Sequence, residues 1–260
     1  MVVMDGSEIP LVGGSVTPVV RIGATVRRQS GVWTEAVQAL LRHLEAVGFT
    51  AAPRALGLDG QGREQVSFLP GAAATRPWPA VLRGTTGVVA LGGWLAGYHR
   101  AVASFVPPPE AVWRTGPQRV ESGHIIRHGD LGPWNSIWQD DRLVGIIDWD
   151  FASPGPALAD LADLAWQVVP LRPARPDAPY EGALARRVRL EALCASYGAA
   201  SPQQVVDATL ALMEQVRQET IRRGRAGEEP WLTFLARGDA VRIAAERQWL
   251  AQARREVLGG

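Results

Sequence analysis

The sequence predicts an α+β chain: a small antiparallel sheet carrying one helix, followed by a larger and mostly helical part. Three observations carry this prediction. Before residue 70, short apolar or β-branched runs alternate with glycine turns, and only one helical pattern interrupts them. Pro70-Gly71 then breaks the pattern, and a Pro/Ala/Gly-rich link runs from Gly71 to Pro79. After it, apolar residues return mainly at helical spacing. The 260 residues, 47% hydrophobic and 20% charged, suit one large domain or two parts with a sizeable core. We place the division at Pro70-Gly71, giving parts 1–70 and 71–260.

Ile9 to Val12 reads as a strand that stops at Gly13-Gly14-Ser15. Val19 to Ile22 is a second strand, Gly23-Ala24 a turn, and Thr25 to Arg28 a third strand. Thr34 stands where an N-cap belongs; Leu40, Leu41, Leu44 and Val47 follow at helical spacing, and Gly48 stops the helix. Pro53 to Leu58 and Gln65 to Leu69 are two more strands around the turn Asp59-Gly60-Gln61-Gly62. A helix is predicted from about Gly87 to Ser104, ended by Pro107-Pro108-Pro109, because proline donates no backbone hydrogen bond. Ser136 to Trp138 and Leu143 to Ile147 read as a hairpin around Asp140-Asp141. Ala157 to Val168 is a helix, and Pro170 to Tyr180, with four prolines, is a loop. Further helices are predicted at about Glu181 to Tyr197, Pro202 to Arg223 and Trp231 to Leu258.

Composition narrows the function. The formal net charge is +1, which gives no global field toward nucleic acid or membrane. All 27 basic residues are Arg. Any task that needs a cation therefore falls to a planar, permanently charged guanidinium. Cys194 is the one cysteine, so no intramolecular disulfide is possible. Met1 to Pro10 carries Asp5 and Glu8 and no secretory pattern, and Gly87 to Tyr98 is too short to span a bilayer. The expected setting is the cytoplasm.

The chemistry concentrates between His128 and Asp148, in His128-Gly129-Asp130-Leu131-Gly132-Pro133-Trp134-Asn135 and then Ile146-Ile147-Asp148-Trp149-Asp150. A carboxylate on a loop opened by Gly129 and stiffened by Pro133 can orient a hydroxyl nucleophile. An amide oxygen at Asn135 and a carboxylate at the end of the run Leu143 to Ile147 can together take a hard cation on nucleotide phosphates. The intervening residues suit a hairpin that brings Asn135 and Asp148 to one ion.

This pattern resembles the aminoglycoside phosphotransferase family, which shares the bilobal protein-kinase-like fold. Gly155-Pro156-Ala157-Leu158-Ala159-Asp160-Leu161-Ala162, the Leu95 to His99 helix segment and Val66-Ser67-Phe68-Leu69-Pro70-Gly71 are similar to further segments of that family. The resemblance covers roughly Leu11 to Trp166 in order. It implies that 1–70 binds nucleotide and that 71–260 carries catalysis and the acceptor. It implies Asp130 as the catalytic carboxylate, Asn135 and Asp148 as Mg²⁺ ligands, and His128 as a brace for the loop. It implies that the backbone of Phe68, Leu69 and Gly71 meets the adenine edge, and that Asp160 steadies the catalytic loop. At the start of a helix, Asp160 also suits the helix dipole. Asp150 is a third metal contact or an ordinary surface acid.

The first part departs from the family pattern. The phosphate-gripping Lys of the third strand has no Lys here; Arg27 is the best match and Arg28 the next. They point to opposite faces of the strand, so only one faces the cleft. The acid that would pair with the cation is not apparent, since Glu35 lies near the helix start and one turn on stand Val37 and Gln38. Gly13, Gly14 and Ser15 offer backbone N–H groups to phosphate. Trp94, Trp166 and Trp249 read as core, Trp134 as core or acceptor pocket, and His99 as packing behind the catalytic loop. His43 and His124 lack neighbouring ligands, and the Arg222, Arg223, Arg225 cluster is followed at once by Glu228 and Glu229.

The leading expectation is a kinase that uses Mg²⁺ and ATP or GTP to phosphorylate a hydroxyl of a small molecule: an aminoglycoside-like antibiotic, a sugar or an amino alcohol. The alternative is a nucleotide-binding, weakly active kinase-like protein of regulation or immunity, motivated by the missing Lys and acid. A helical nucleic-acid binder rests only on the Arg count, against a net charge of +1.

Overall fold

A computed structural model describes residues 7–11, 19–116, 118–174 and 183–260. Strands β1 (Ile9–Pro10), β2 (Val19–Ile22) and β3 (Thr25–Arg28) come first, then helix α1 (Thr34–Ala46), β4 (Ala55–Leu58) and β5 (Glu64–Ser67). They form one antiparallel sheet in the order β1-β2-β3-β5-β4. The expected Gly13-Gly14-Ser15 loop lies outside the described residues.

Helix α1 buries Val37, Leu40, Leu41 and Leu44 along one stripe. Removing each such side chain from water is worth roughly 1.5–3 kcal/mol. The helix ends as a Schellman motif: Gly48 has φ +79° and its N–H reaches Glu45 O, while Phe49 N–H reaches Leu44 O at 2.8 Å. At the other end the expectation is corrected. Trp33, not Thr34, is the N-cap, and the Thr34 hydroxyl instead accepts the Gly31 N–H at 2.8 Å.

The chain continues through β6 (Ala72–Ala73), α2 (Ala80–Arg83), α3 (Thr86–Val102) and β7 (Ile125–Arg127). A 3₁₀ turn at Pro133–Asn135 leads into β8 (Ser136–Gln139) and β9 (Arg142–Ile146). A second 3₁₀ turn, Trp149–Phe151, leads into β10 (Ser153–Gly155). β6, β8 and β9 form a three-stranded sheet, and β7 pairs with β10. Asp140 and Asp141 both have positive φ, 48° and 60°, as the two-residue turn of the predicted hairpin requires.

Helices α4 (Ala157–Val168), α5 (Ala183–Tyr197), α6 (Pro202–Arg225), α7 (Trp231–Ala236) and α8 (Asp239–Leu258) complete the chain. Ser201 and Gln204 make a capping box at the start of α6, with Pro202 at its first turn. The single helix predicted over Trp231 to Leu258 is two, because Gly238 adopts φ +83° between them.

Residue contacts gather into two compact units, Met1–Pro79 with Trp94–Ala157, and Ala80–Gly93 with Leu158–Gly260. The second unit is held by an apolar core that includes Leu82, Leu161, Leu193, Val205, Met213 and Leu250. Within it Arg189, 3% exposed, donates to Leu82 O (3.0 Å), Gly84 O (2.6 Å) and Val168 O (2.9 Å). It thereby satisfies carbonyls at the ends of α2 and α4 that have no intrahelical partner. Arg189→Met should destabilise the protein by roughly 2–3 kcal/mol, because charged hydrogen bonds are lost and buried carbonyls are left bare. Urea unfolding checks this.

Candidate active site

The site is built wholly within the first compact unit. Its floor is an aromatic cluster. Trp149 is 1% exposed and stands edge-on to Tyr98, with ring centres 5.0 Å apart; His128 lies 4.5 Å away and Trp94 6.1 Å away. Trp149 Nε1–H donates to Ile146 O, Trp94 Nε1–H to Ala51 O, and the Tyr98 hydroxyl to Ile126 O. Each ring therefore buries its body and satisfies its polar tip.

His128 is fully buried on this floor. Its Nδ1 accepts the Asp130 N–H at 3.3 Å, which puts its proton on Nε2, donated to Ile147 O at 3.2 Å. The preceding peptide group is tied as well: Ile147 N–H donates to Asn135 O at 2.8 Å. Both sides of Ile147 are thus anchored to the loop that carries Asp130 and Asn135, and Asp148 follows at once. Asn135, 5% exposed, turns its Nδ2 onto Asp130 Oδ2 at 2.9 Å and Asp130 O at 3.0 Å. Among the described residues its Oδ1 accepts no hydrogen bond. Gly129 has φ +79°, and a Cβ there would lie 2.3 Å from Phe151 O. Gly129→Ala should cost about 1–3 kcal/mol from left-handed strain alone, read by urea unfolding.

Asp148 also has a left-handed backbone, φ 64° and ψ 69°, and its side chain is 46% exposed. Its Oδ1 is held by Arg28 Nη1 at 3.0 Å. Arg28 Nη2 lies 2.9 Å from Asp150 Oδ1, and Arg28 Nε donates to Glu64 Oε2 at 2.5 Å. Arg114 approaches Asp150 Oδ2 from the other side at 3.3 Å, its guanidinium between the rings of Trp33 (4.1 Å) and Phe151 (5.0 Å). Burial opposes the Arg28 charge, but Asp150, Glu64 and Asp148 together overcome it and raise its pKa. Burial likewise pushes the Asp150 carboxyl above the ordinary range, against the pull of Arg28 and Arg114.

The expectation for Arg27 is corrected by this geometry. β3 alternates, and Arg28 is the residue that faces Asp148. Arg27 points the other way, 3.5 Å from Asp59, into a shallow surface depression of about 530 Å³ shared with Glu8 and Arg63. Glu64, Gln38 and Arg114 are members of the cluster that the sequence did not reveal. Their one signal is the register: Glu64 stands directly opposite Arg28 across β3 and β5.

Of the other expected positions, Phe68 gives its N–H to Ala24 O and lies beneath the Arg21 guanidinium at 3.9 Å. Among the described residues the Leu69 backbone makes no hydrogen bond. Gly71 has φ +133° and packs so tightly that a Cβ would lie 2.6 Å from Trp138 O. Asp160 is fully buried in the first turn of α4, in the second unit, where its charge adds to burial in raising the Tyr197 pKa. Trp94 and Trp166 are core residues and Trp134 is 44% exposed.

The oxygen donors suit a hard divalent cation. Among the described residues no group of three or more His, Cys, Asp or Glu could enclose a metal. No helix among the described residues is long and apolar enough to cross a membrane.

Residues 109–193 match the model of the phosphotransferase enzyme family. A trifolitoxin immunity protein from Rhizobium leguminosarum bv. trifolii is 41% identical over 164 residues, 61% of this chain and 61% of that protein. The aligned part thus spans less than two thirds of that relative. A choline/ethanolamine kinase family protein from Mesorhizobium loti superposes with TM-score 0.62, at 17% identity, over 100% of this chain and 95% of that one. An amicoumacin kinase in complex with AMP-PNP, Ca²⁺ and Ami superposes with TM-score 0.64, at 14% identity, over 94% of this chain and 87% of that one. The chain has the α+β, protein-kinase-like fold of these structures, with the antiparallel sheet first and the helical part after it.

Proposed function

We propose that this chain is a small-molecule kinase that moves the γ-phosphoryl group of ATP or GTP to a hydroxyl of a small acceptor. The carrying observation is the double anchoring of Ile147: His128 Nε2 and Asn135 O grip the peptide groups on its two sides, at 3.2 and 2.8 Å. That fixes Asp148 beside the loop bearing Asp130 and Asn135. The family match over residues 109–193 covers these same residues.

In this reading Asp130 orients the acceptor hydroxyl and takes up its proton as the oxygen attacks in line. Asn135 holds the Asp130 carboxylate in place with Nδ2 and keeps Oδ1 for a cation. Asp148 keeps Oδ2 for the same cation while Arg28 fixes Oδ1. Asn135 Oδ1 and Asp148 Oδ2 would hold Mg²⁺, which would supply positive charge against the negative charge of phosphoryl transfer. The backbone of Leu69, within the segment Phe68 to Gly71, would meet the adenine edge. Gly13, Gly14 and Ser15 would cradle phosphate. The nucleotide would belong to residues 1–70 and the acceptor to 71–260. The protein would work in the cytoplasm, with no nucleic-acid or membrane partner. The acceptor class stays broad: an aminoglycoside-like antibiotic, a sugar or an amino alcohol.

Two observations favour a second reading, a nucleotide-binding and weakly active protein of regulation or immunity. Three Arg28 nitrogens already face protein carboxylates, and Arg27 faces away from them. The relative that is 41% identical bears an immunity name. The two readings separate in one assay. Nucleotide turnover with Mg²⁺ and a panel of hydroxylated amines, sugars and antibiotics supports the kinase. Nucleotide binding without turnover toward any acceptor, or water, supports the second.

A further inference from the structure

We infer that Glu64 and Gln38 are positioning residues for the Asp148 cation site, acting through Arg28. This rests on the phosphotransferase reading and extends it to residues that the resemblance does not supply.

A continuous line of contacts connects helix α1 to Asp148. Gln38, on α1 and 3% exposed, accepts the Gly57 N–H of β4 with Oε1 at 2.9 Å. Its Nε2 donates to Glu64 Oε1 at 2.9 Å and, at 3.3 Å, to Gln65 O. Both ends of the amide are therefore fixed. Glu64, 1% exposed, accepts the Arg28 Nε–H with its second oxygen. With Nε pinned on β5, the guanidinium plane is set, and Nη1 and Nη2 meet Asp148 and Asp150 at 3.0 and 2.9 Å. Arg114 closes the far side of Asp150.

The division of labour depends on a fork. Three carboxylates are met by three different nitrogens, which one ammonium on a flexible stem cannot reproduce. The geometry also splits Asp148: Oδ1 is committed to Arg28, and Oδ2 stays available on a half-exposed side chain. Glu64 therefore sets which oxygen of Asp148 faces a cation, although it does not touch that cation itself. Gln38 does the same at one further remove, so that a shift of α1 would be felt at Asp148.

The test moves the charge along this line. In the full chain, Glu64→Gln removes the acid, and the double variant Gln38→Glu/Glu64→Gln places it on α1 with an amide at the strand. Affinity for AMP-PNP with Mg²⁺ is measured beside unfolding stability. Glu64→Gln should weaken nucleotide·Mg²⁺ binding by about ten-fold or more, as loss of an outer-shell partner of a metal ligand typically does. The double variant should recover most of that loss, which a purely structural role of Glu64 would not predict. Wild-type affinity in a folded Glu64→Gln protein, or no recovery in a folded double variant, overturns the inference.

A wild-type chain that binds no nucleotide with Mg²⁺ overturns the phosphotransferase reading instead. The contact line is then tested without ligand, by a double-mutant cycle on unfolding between Gln38→Ala and Arg28→Ala, two residues with no direct contact. Coupling of roughly three-fold or more in the unfolding constant, vanishing in the Glu64→Gln background, supports it. Additive effects in both backgrounds overturn it.

Discussion

Asp130→Ala should lower phosphoryl transfer by about 10²- to 10⁴-fold, the usual contribution of a positioned proton acceptor. Binding of nucleotide with Mg²⁺ should stay close to that of the unaltered protein. The loop should survive the change. Asn135 Nδ2 loses Asp130 Oδ2 but keeps the Asp130 carbonyl, and His128 still takes the Asp130 N–H. A fall in kcat with nucleotide affinity retained is therefore the expected signature, read by single-turnover kinetics beside calorimetric titration. Full activity in this variant would remove Asp130 from the mechanism.

Arg28→Leu should be the most destabilising single change in the sheet. It leaves Glu64, 1% exposed, and Asp150 facing each other's charge without their shared cation. Breaking a buried ion pair from one side costs about 3–5 kcal/mol. The pH dependence has a definite sign. Arg28 has its pKa raised above the ordinary guanidinium range by its three acids, so its stabilisation is complete and flat through neutrality. In Arg28→Leu the Asp150 carboxyl, which burial already pushes above the ordinary range, loses the Arg28 charge that opposes that push. Its penalty is full at neutral pH and is relieved as the pH falls through its raised folded-state value. The gap between the two proteins should therefore narrow on acidification, measured by urea unfolding across pH. Arg28→Lys should recover only part of the loss, because one nitrogen cannot span three acids.

The grouping of His128, Asp130, Asn135 and Asp148 was legible because it is local. His128, Asp130 and Asn135 fall within one loop, and Asp148 ends an apolar run, so order and spacing alone brought them together. Strands and helices with clear periodicity and glycine stops were also readable: β2, β3 and α4 occupy the residues predicted for them. The three-residue and shorter strands β7, β10 and β6 were not, since two or three residues carry no period.

Arg28 and Glu64 show a different limit. Choosing between Arg27 and Arg28 needs the face of β3 that meets Asp148, which is a tertiary fact. The predicted strand began at Gln65, one residue after the acid that matters. Its partner lies 36 residues earlier in sequence, across a pairing of β3 with β5 that skips over α1 and β4. Arg114 belongs to no predicted element at all, and it is placed by tertiary contacts, the rings of Trp33 and Phe151 and the Asp150 carboxylate.

The use of a guanidinium at Arg28, in a chain whose 27 basic residues are all Arg, reaches beyond stability. Reagents that find nucleotide sites by acylating a nearby amine need a lysine to react with. This protein offers them no side-chain amine, in the sheet or elsewhere. Surveys of nucleotide-binding proteins that enrich acylated lysines would pass over it, however tightly it held its nucleotide. Photo-crosslinking nucleotides, or an arginine-directed dicarbonyl blocked by bound nucleotide, are the labels that its chemistry can answer.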